Sequence, residues 1–106
     1  IDENDVLFVF PHQLEFFDDK FFNISIAIDC LHEMEKKTIK KYMQIFNKKS
    51  QFLYYKVLNE TYVPYDYNNY LNANNADDYQ INTNWDLIFK EKCICPSNYM
   101  EIAYKI

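Results

Sequence analysis

The sequence of 106 residues contains no glycine. Glycine-rich loops, in which the backbone closely approaches a phosphate or a dinucleotide, depend on residues that lack a Cβ atom. The chain therefore cannot supply such a loop. Any cofactor that needs one must obtain it from residues outside this sequence.

Long apolar runs and an excess of basic residues are also absent. No run of about 18 apolar residues, the length that spans a bilayer, occurs, and the N-terminal residues 1–5 are too acidic for a signal peptide. The net charge of -5 disfavours nucleic-acid phosphates as partners, since these require a basic surface. The lysines between residues 36 and 49 alternate with apolar residues at helical spacing, which predicts a solvated helix face.

Cysteine is scarce, with three residues in all. An odd number without a secretory signal predicts reduced thiols and a cytoplasmic location. Cys93 and Cys95 are predicted to share a strand face, but a zinc site needs two further ligands, so core or interface positions are favoured. The chain length and the apolar content of 49% suit one domain with a buried core.

The hydrophobic pattern predicts alternating strands and one helix. The continuous apolar residues 6–10 predict a strand buried on both faces, and residues 21–28 predict a central strand. Over residues 35–49 apolar side chains recur at spacings of three and four, which predicts an amphipathic helix. Residues 52–58 predict another strand. A strand, a helix and a strand in this order predict a parallel βαβ unit with a right-handed crossover.

The C-terminal residues predict an antiparallel hairpin. Strand-like residues 87–95 and 99–106 flank the turn residues 96–98. Residues 59–84 are rich in Asn, Tyr and Asp and show no sustained period. They are either a loop that lines a substrate site or an ordinary surface excursion. The predicted fold class is α/β, a βαβ unit followed by an antiparallel β-hairpin.

This order of elements resembles the end of class I S-adenosylmethionine-dependent methyltransferases, whose parallel doubly wound sheet finishes in an antiparallel hairpin. Residues 21–34 resemble their fourth strand and the loop that follows it. More narrowly, the chain resembles bacterial sugar O-methyltransferases. The motifs that carry this resemblance are Pro11-His12-Gln13-Leu14, Glu33-Met34, Ile39 with Tyr42, Tyr54-Tyr55-Lys56, Trp85, and Glu101 with Tyr104.

The resemblance covers essentially all of residues 1–106 but only the C-terminal half of the family's domain. It implies a single partial methyltransferase-like domain, half of a Rossmann-like sheet. The family's first two strands, its glycine-rich loop and its ribose-binding acidic residue have no counterpart here. In the family's sheet order, residues 6–10 are the third strand. We expect the missing half upstream in the same polypeptide, which Ile1 at the first position favours, or in a partner chain.

Catalytic residues are implied just after residues 21–28, where open α/β sheets bind ligands. His32 is the candidate base for a substrate hydroxyl, or else a helix-entry residue that meets solvent or caps the backbone. Asp29 is a candidate contact of the cofactor's amino group or the substrate hydroxyl, or else a turn residue. Glu33 either assists the base or interacts with the helix dipole. No metal site is predicted, because two carboxylates four residues apart are weak support for the magnesium that some sugar methyltransferases use.

Binding residues are implied at two further positions. His12, Gln13 and Leu14 match the loop that covers the adenine ring of S-adenosylmethionine in the family, partly through backbone contacts. Lys56 and Asn59 follow the second strand of the βαβ unit and are candidate substrate contacts, with a solvated lysine as the alternative for Lys56.

The function that these expectations describe is part of an S-adenosylmethionine-dependent O-methyltransferase acting on a hydroxyl of a sugar or sugar nucleotide. The chain alone is not expected to be active, because the cofactor needs residues outside it. The alternative is a non-catalytic methyltransferase-like module that pairs with another subunit. The missing glycine loop favours this alternative if the chain is the whole gene product.

Overall fold

The computed structural model describes residues 6–59, Tyr79 and residues 81–106. A 3₁₀ helix, Pro11–Phe16, precedes the strand β1, Phe22–Ile28, and the 3₁₀ turn Leu31–Glu33 precedes the helix α1, Lys36–Lys49. The strands β2, Ser50–Leu58, β3, Asp86–Lys92, and β4, Tyr99–Lys105, complete the order. Residues 59–84, the candidate loop at a substrate site, lie mostly outside the described residues.

The four strands form one mixed sheet in the order β1-β2-β4-β3. β1 pairs with β2 in parallel, with α1 between them in sequence, which confirms the predicted βαβ unit. β4 is antiparallel to both β2 and β3, which confirms the hairpin. Because β4 runs opposite to both of its neighbours, β3 runs in the same direction as β1 and β2. The carboxyl ends of these three strands therefore meet at one edge of the sheet.

Helix α1 covers one face of this sheet through its apolar stripe. Ile39 and Met43 of the helix are 4% exposed and belong to the same buried cluster as the residues of β2 that point toward them. The cluster consists of Ala27, Leu31, Ile39, Met43, Leu53, Tyr55, Val57, Tyr79, Trp85 and Ile102. The period of two along β2, with Leu53, Tyr55 and Val57 buried, shows that the sheet has one packed face.

Trp85 ties the segment before β3 to this helix. Its side chain is 8% exposed, and its indole N–H donates a hydrogen bond to Oδ1 of Asn47 at 2.7 Å. The side-chain amide of Asn82 donates to the same oxygen at 3.3 Å. These bonds hold the start of the hairpin against the end of α1.

The opposite face of the sheet is not covered by the described residues. Ile24, Ile26 and Ile28 alternate along β1 with core-facing residues and are 50%, 61% and 55% exposed. Phe52 of β2, the register partner of Ile24, extends the apolar patch and is 37% exposed. β1 also lies at an end of the strand order. We call these four side chains the outer face.

The prediction of a buried strand over residues 6–10 is wrong in this structure. The segment pairs with no strand among the described residues, and its side chains are exposed, from 36% for Val9 to 92% for Phe8. A continuous apolar run indicates a segment suited to burial, but it does not identify the strands on which burial depends.

The lysines of α1 face solvent as predicted, with one exception. Five of them are exposed, namely Lys36, Lys37, Lys40, Lys41 and Lys48. Lys49 is 5% exposed, and its ammonium donates hydrogen bonds to the carbonyl oxygen of Phe17 and to Oδ1 of Asp19, the latter at 3.0 Å. The hydrogen bond from Lys49 is the main reason why the pKa of Asp19 is lowered. Lys49 thus fastens the segment before β1 to the end of the helix.

Replacing Lys49 by Met is expected to lower the free energy of unfolding by about 1–3 kcal/mol. The substitution removes two hydrogen bonds of a buried ammonium group while methionine retains most of the aliphatic stem. Urea unfolding measures this loss. Lys48→Met is the matched control, because Lys48 is exposed and lies 3.8 Å from the same carboxylate; we expect it to cost less than about 1 kcal/mol.

The effect of Lys49→Met is expected to shrink in acid. The pKa of Asp19 is lowered below its ordinary value of 3.8 in the folded chain. Its contribution to stability is therefore present above that value and is lost as the pH falls through the folded pKa. An equal effect of the substitution at about pH 7 and about pH 2.5 would show that the carboxylate contributes nothing.

Candidate functional site

The candidate site lies where the carboxyl ends of β1, β2 and β3 meet, the position at which open α/β sheets bind ligands. Asp29 follows β1, Asn59 follows β2, and the turn of residues 93–98 follows β3. The N–H of Asp29 donates to the carbonyl oxygen of Lys56 at 2.9 Å, and the N–H of Asn59 donates to that of Asn98 at 2.8 Å. We call this place the carboxyl edge.

Asp29 presents its carboxylate at the carboxyl edge. Its backbone has a left-handed φ of 54°, which Asp adopts more readily than most residues. The side chain is 58% exposed. The hydroxyl of Tyr99 donates a hydrogen bond to Oδ1 of Asp29 at 2.5 Å, and Nε2 of His32 lies 3.5 Å from the same oxygen. Both contacts within the described part of the chain converge on Oδ1, and neither involves Oδ2.

His32 lies beneath this carboxylate and is only 4% exposed. The N–H of Leu58 donates to its Nδ1 at 3.4 Å, so Nδ1 acts as an acceptor and Nε2 is inferred to carry the ring proton. The ring also meets the ring of Tyr99 edge-on, with centroids 5.9 Å apart. A buried ring whose nitrogens face protein groups suits a residue that binds backbone and orients Asp29. The role of a base for the substrate hydroxyl stays a prediction for His32.

Tyr99, at the start of β4, joins the elements of the site. Its hydrogen bond to Asp29 is the main reason why the pKa of the Tyr99 hydroxyl is raised above its ordinary value of 10.0. The hydroxyl therefore remains a neutral donor at neutral pH. The ammonium of Lys56 lies 5.7 Å from the centre of the Tyr99 ring, a cation–π distance.

The proposed substrate contacts lie at the same edge. The ammonium of Lys56 donates to the carbonyl oxygen of Cys95 at 3.4 Å and lies 3.9 Å from Oε1 of Glu101. These internal contacts hold Lys56 in the site. Asn59 is exposed beside it, and Glu33 is exposed at the end of the 3₁₀ turn.

The predicted adenine-covering residues form part of the first 3₁₀ helix. The helix begins after Phe10, whose N–H donates to Oε1 of Gln13 at 2.7 Å, while the N–H of Gln13 donates to the carbonyl oxygen of Phe10 at 2.8 Å. The ring of His12 stacks on that of Phe10 at 5.8 Å. These local bonds account for the helix without any contact to the carboxyl edge.

The structure does not bring residues 12–14 together with Asp29. Leu14 lines a cleft of about 400 Å³ with Lys48 and Lys49, which end α1 just before β2 begins. That cleft lies at the amino end of the parallel strands, whereas Asp29 lies at their carboxyl end. The seven residues of β1 between them span about 20 Å. The four predicted cofactor contacts thus fall into two groups at opposite edges of the sheet.

The cysteines lie apart from these groups. β3 ends at Lys92, so Cys93 and Cys95 do not share a strand face as predicted; Cys93 is buried and Cys95 is exposed in the turn. Burial raises the pKa of the Cys93 thiol, which disfavours the reactive thiolate. Among residues 6–59, 79 and 81–106, no group of three or more His, Cys, Asp or Glu side chains is placed to hold a metal ion.

Comparisons of this chain with protein-family models, with curated proteins and with solved structures find no match. Its function must therefore be inferred from the chemistry of the carboxyl edge and from the shape of the sheet. Within the described residues, no helix combines the length and the apolar character needed to cross a membrane.

Proposed function

We propose that this chain is the substrate-side part of an S-adenosylmethionine-dependent O-methyltransferase that methylates a hydroxyl of a sugar or sugar nucleotide. The observation that carries this proposal is the Asp29 carboxylate, positioned by Tyr99 and His32 at the carboxyl edge of parallel strands. The mixed sheet supports it, since a βαβ unit followed by an antiparallel hairpin is the layout that the resemblance implies. A cytoplasmic location stays a prediction from the sequence.

Methyl transfer to a hydroxyl needs an oriented oxygen and a group that accepts its proton. S-adenosylmethionine, when bound, supplies a methyl group already activated by a positive sulfur. The residues of this chain suit the acceptor side of the reaction. Asp29 is exposed and ionisable, while Lys56 and Asn59 lie at the same edge, where they remain proposed substrate contacts.

The described residues do not form a complete cofactor site. The sequence has no glycine for a close backbone approach, and residues 12–14 lie at the opposite edge from Asp29. We propose that residues outside this sequence complete the site and that Asp29 is this chain's contribution to it. No step of the reaction is assigned to residues 12–14.

The outer face supports the same proposal of a further part of the domain. Parallel strands are normally covered on both faces, and apolar edge strands are normally paired or protected. Here Ile24, Ile26 and Ile28 are exposed on β1, which has a free edge within the described sheet. We propose that strands and helices of the same polypeptide or of a partner chain cover this face.

Titration calorimetry of the intact protein with S-adenosylhomocysteine tests the proposed function. We expect saturable binding with a dissociation constant well below about 1 mM, because product-like ligands occupy the cofactor site of the enzyme. Absence of any heat of binding, both with S-adenosylhomocysteine and with S-adenosylmethionine at about millimolar concentration, would reject the methyltransferase proposal.

A non-catalytic module that pairs with another subunit is the second candidate function. It is favoured by the outer face, which offers a docking surface whether or not the carboxyl edge is catalytic. A Gly-x-Gly loop after a hydrophobic strand in the coding sequence upstream of Ile1 would favour the enzyme. A partner complex that binds neither S-adenosylmethionine nor S-adenosylhomocysteine would favour the module.

A further inference from the structure

We propose that Tyr99 and His32 fix the carboxylate of Asp29 through its Oδ1 atom, so that Oδ2 is the atom that takes the proton of the substrate hydroxyl. This inference rests on the proposed methyltransferase function. It adds the identity of the proton-accepting atom and makes Tyr99 and His32 positioning residues.

The first support is that both polar contacts of the carboxylate meet at one oxygen. A carboxylate has two oxygens, each able to accept hydrogen bonds. Oδ1 accepts the hydroxyl of Tyr99 at 2.5 Å and faces Nε2 of His32 at 3.5 Å. The side chain is nevertheless 58% exposed. Rotation of the carboxylate is restrained while Oδ2 is open to a hydroxyl at the carboxyl edge.

The second support is the way in which Tyr99 is itself held. Its ring packs edge-on against the buried ring of His32 and lies below the ammonium of Lys56. Lys56 is in turn bonded to the carbonyl oxygen of Cys95 in the turn before β4. The raised pKa of Tyr99 agrees with a hydroxyl that stays protonated and continues to donate to Asp29.

The third support is that both ring nitrogens of His32 already face protein groups, Nδ1 the N–H of Leu58 and Nε2 the carboxylate of Asp29. Nδ1 already accepts the N–H of Leu58, and an imidazolium has donors at both nitrogens. Protonation of Nδ1 would therefore place two N–H groups against each other in a buried position. Asp29 can take the proton instead. The O–H bond of the substrate hydroxyl breaks, an O–H bond forms at Oδ2 of Asp29, and the proton is later released to water.

Substitution of Tyr99 by Phe in the intact protein tests the inference. With a panel of UDP- and dTDP-linked hexoses as acceptors, we expect kcat for the acceptor that is methylated to fall about 10–100-fold. The KM for that acceptor and the affinity for S-adenosylhomocysteine should stay unchanged.

The charged and titratable groups around Asp29 come from three elements. Besides His32 and Tyr99 they are Cys30, which precedes the 3₁₀ turn, Glu33, which ends it, and Lys56 of β2. All of them except the Tyr99 hydroxyl remain in the Tyr99→Phe variant. Tyr54→Phe is the matched control, because burial and then the carboxylate of Glu101, not that of Asp29, raise the pKa of the Tyr54 hydroxyl; it should leave kcat unchanged.

A ¹³Cζ-tyrosine NMR titration provides a readout that does not depend on an acceptor. The Tyr99 signal, assigned by its loss in Tyr99→Phe, should titrate above its ordinary value of 10.0 and move toward it in Asp29→Asn. Identical titration in both proteins would overturn the inference. If no sugar nucleotide in the panel is methylated, this titration alone decides whether the inference stands.

The proposed role of Tyr99 and the proposed methyltransferase function would be rejected by different results. Wild-type kcat in Tyr99→Phe, in a protein that binds S-adenosylhomocysteine, would overturn the role of Tyr99 and leave the methyltransferase proposal standing. A wild-type protein that does not bind S-adenosylhomocysteine would remove the proposed function, and the role of Oδ2 in proton transfer with it.

Discussion

Replacing Asp29 by Asn is expected to lower methyl transfer by the intact protein about 10²–10⁴-fold, the range typical for loss of a general base. Asparagine has nearly the same shape and still accepts the hydrogen bond of Tyr99, which reaches Asp29 at 2.5 Å. It cannot take a proton at the second oxygen position. The loss should therefore appear in kcat, with the affinity for S-adenosylhomocysteine changed by less than about threefold.

The control for this substitution is Asp86→Asn. Asp86 is also an exposed aspartate, but it lies at the amino end of β3, away from the carboxyl edge. Its replacement should leave kcat unchanged. His32→Ala separates the two candidates for the base. If Asp29→Asn keeps wild-type turnover while His32→Ala loses about 10²–10⁴-fold, the proton is taken by the imidazole, as the sequence first suggested.

Replacing Ile26 by Lys is expected to lower the free energy of unfolding of the intact protein by about 2–4 kcal/mol. A charged group placed in a covered apolar interface loses its hydration and gains no partner. In the 106-residue chain alone, where Ile26 is 61% exposed, the same substitution should cost little and should reduce self-association. Urea unfolding of the intact protein and sedimentation of the short chain measure the two effects.

Ile94→Lys is the control for the outer face, because Ile94 is 98% exposed in the turn between β3 and β4. It introduces the same charge where no covering is proposed, and it should cost less than about 0.5 kcal/mol. Equal costs for the two variants in the intact protein would mean that the outer face is uncovered. A 106-residue chain that is monomeric and cooperatively folded would contradict the proposed covering as well.

The local hydrophobic periodicity was sufficient to predict the helix and the strands that pack together within this chain. The stripe of Ile39 and Met43 defines α1, and the alternation in residues 99–105 defines the final strand. Residues 6–10 could not be placed in this way, since an apolar run indicates the tendency to be buried and leaves the neighbouring strand undefined. The position of β4 between β2 and β3 was likewise not contained in the pattern, because alternation assigns a face and not a neighbour.

The site was predictable where it is local and unpredictable where it depends on packing. Asp29 and His32 follow one strand and lie three residues apart, so their contact could be anticipated from sequence. Tyr99 reaches Asp29 across 70 positions of the sequence. Tyr99 pairs in register with Leu58 at the end of β2. If the strand order had been known, this pairing would have placed Tyr99 beside Asp29.

Burial of His32 also had no local signal. Its neighbours Glu33 and Asp29 are polar and exposed, and the ring is enclosed because the 3₁₀ turn packs against the end of β2. The position of residues 12–14 relative to Asp29 could not be read from the sequence for a related reason. A resemblance transfers the order of motifs along a chain, whereas the location of a loop depends on the strands against which it rests.

The insertion of β4 has a consequence for how the chain reaches its fold. β4 pairs residues 99–105 with residues 52–58, so the middle of the sheet is closed by contacts between positions far apart in the sequence. Within the described sheet, β3 pairs only with β4, although it is synthesised first. During translation, the edges of β2 and β3 that pair with β4 stay unpaired until β4, the last of the described strands, has been synthesised. Such high contact order slows folding and exposes the nascent chain to misassembly.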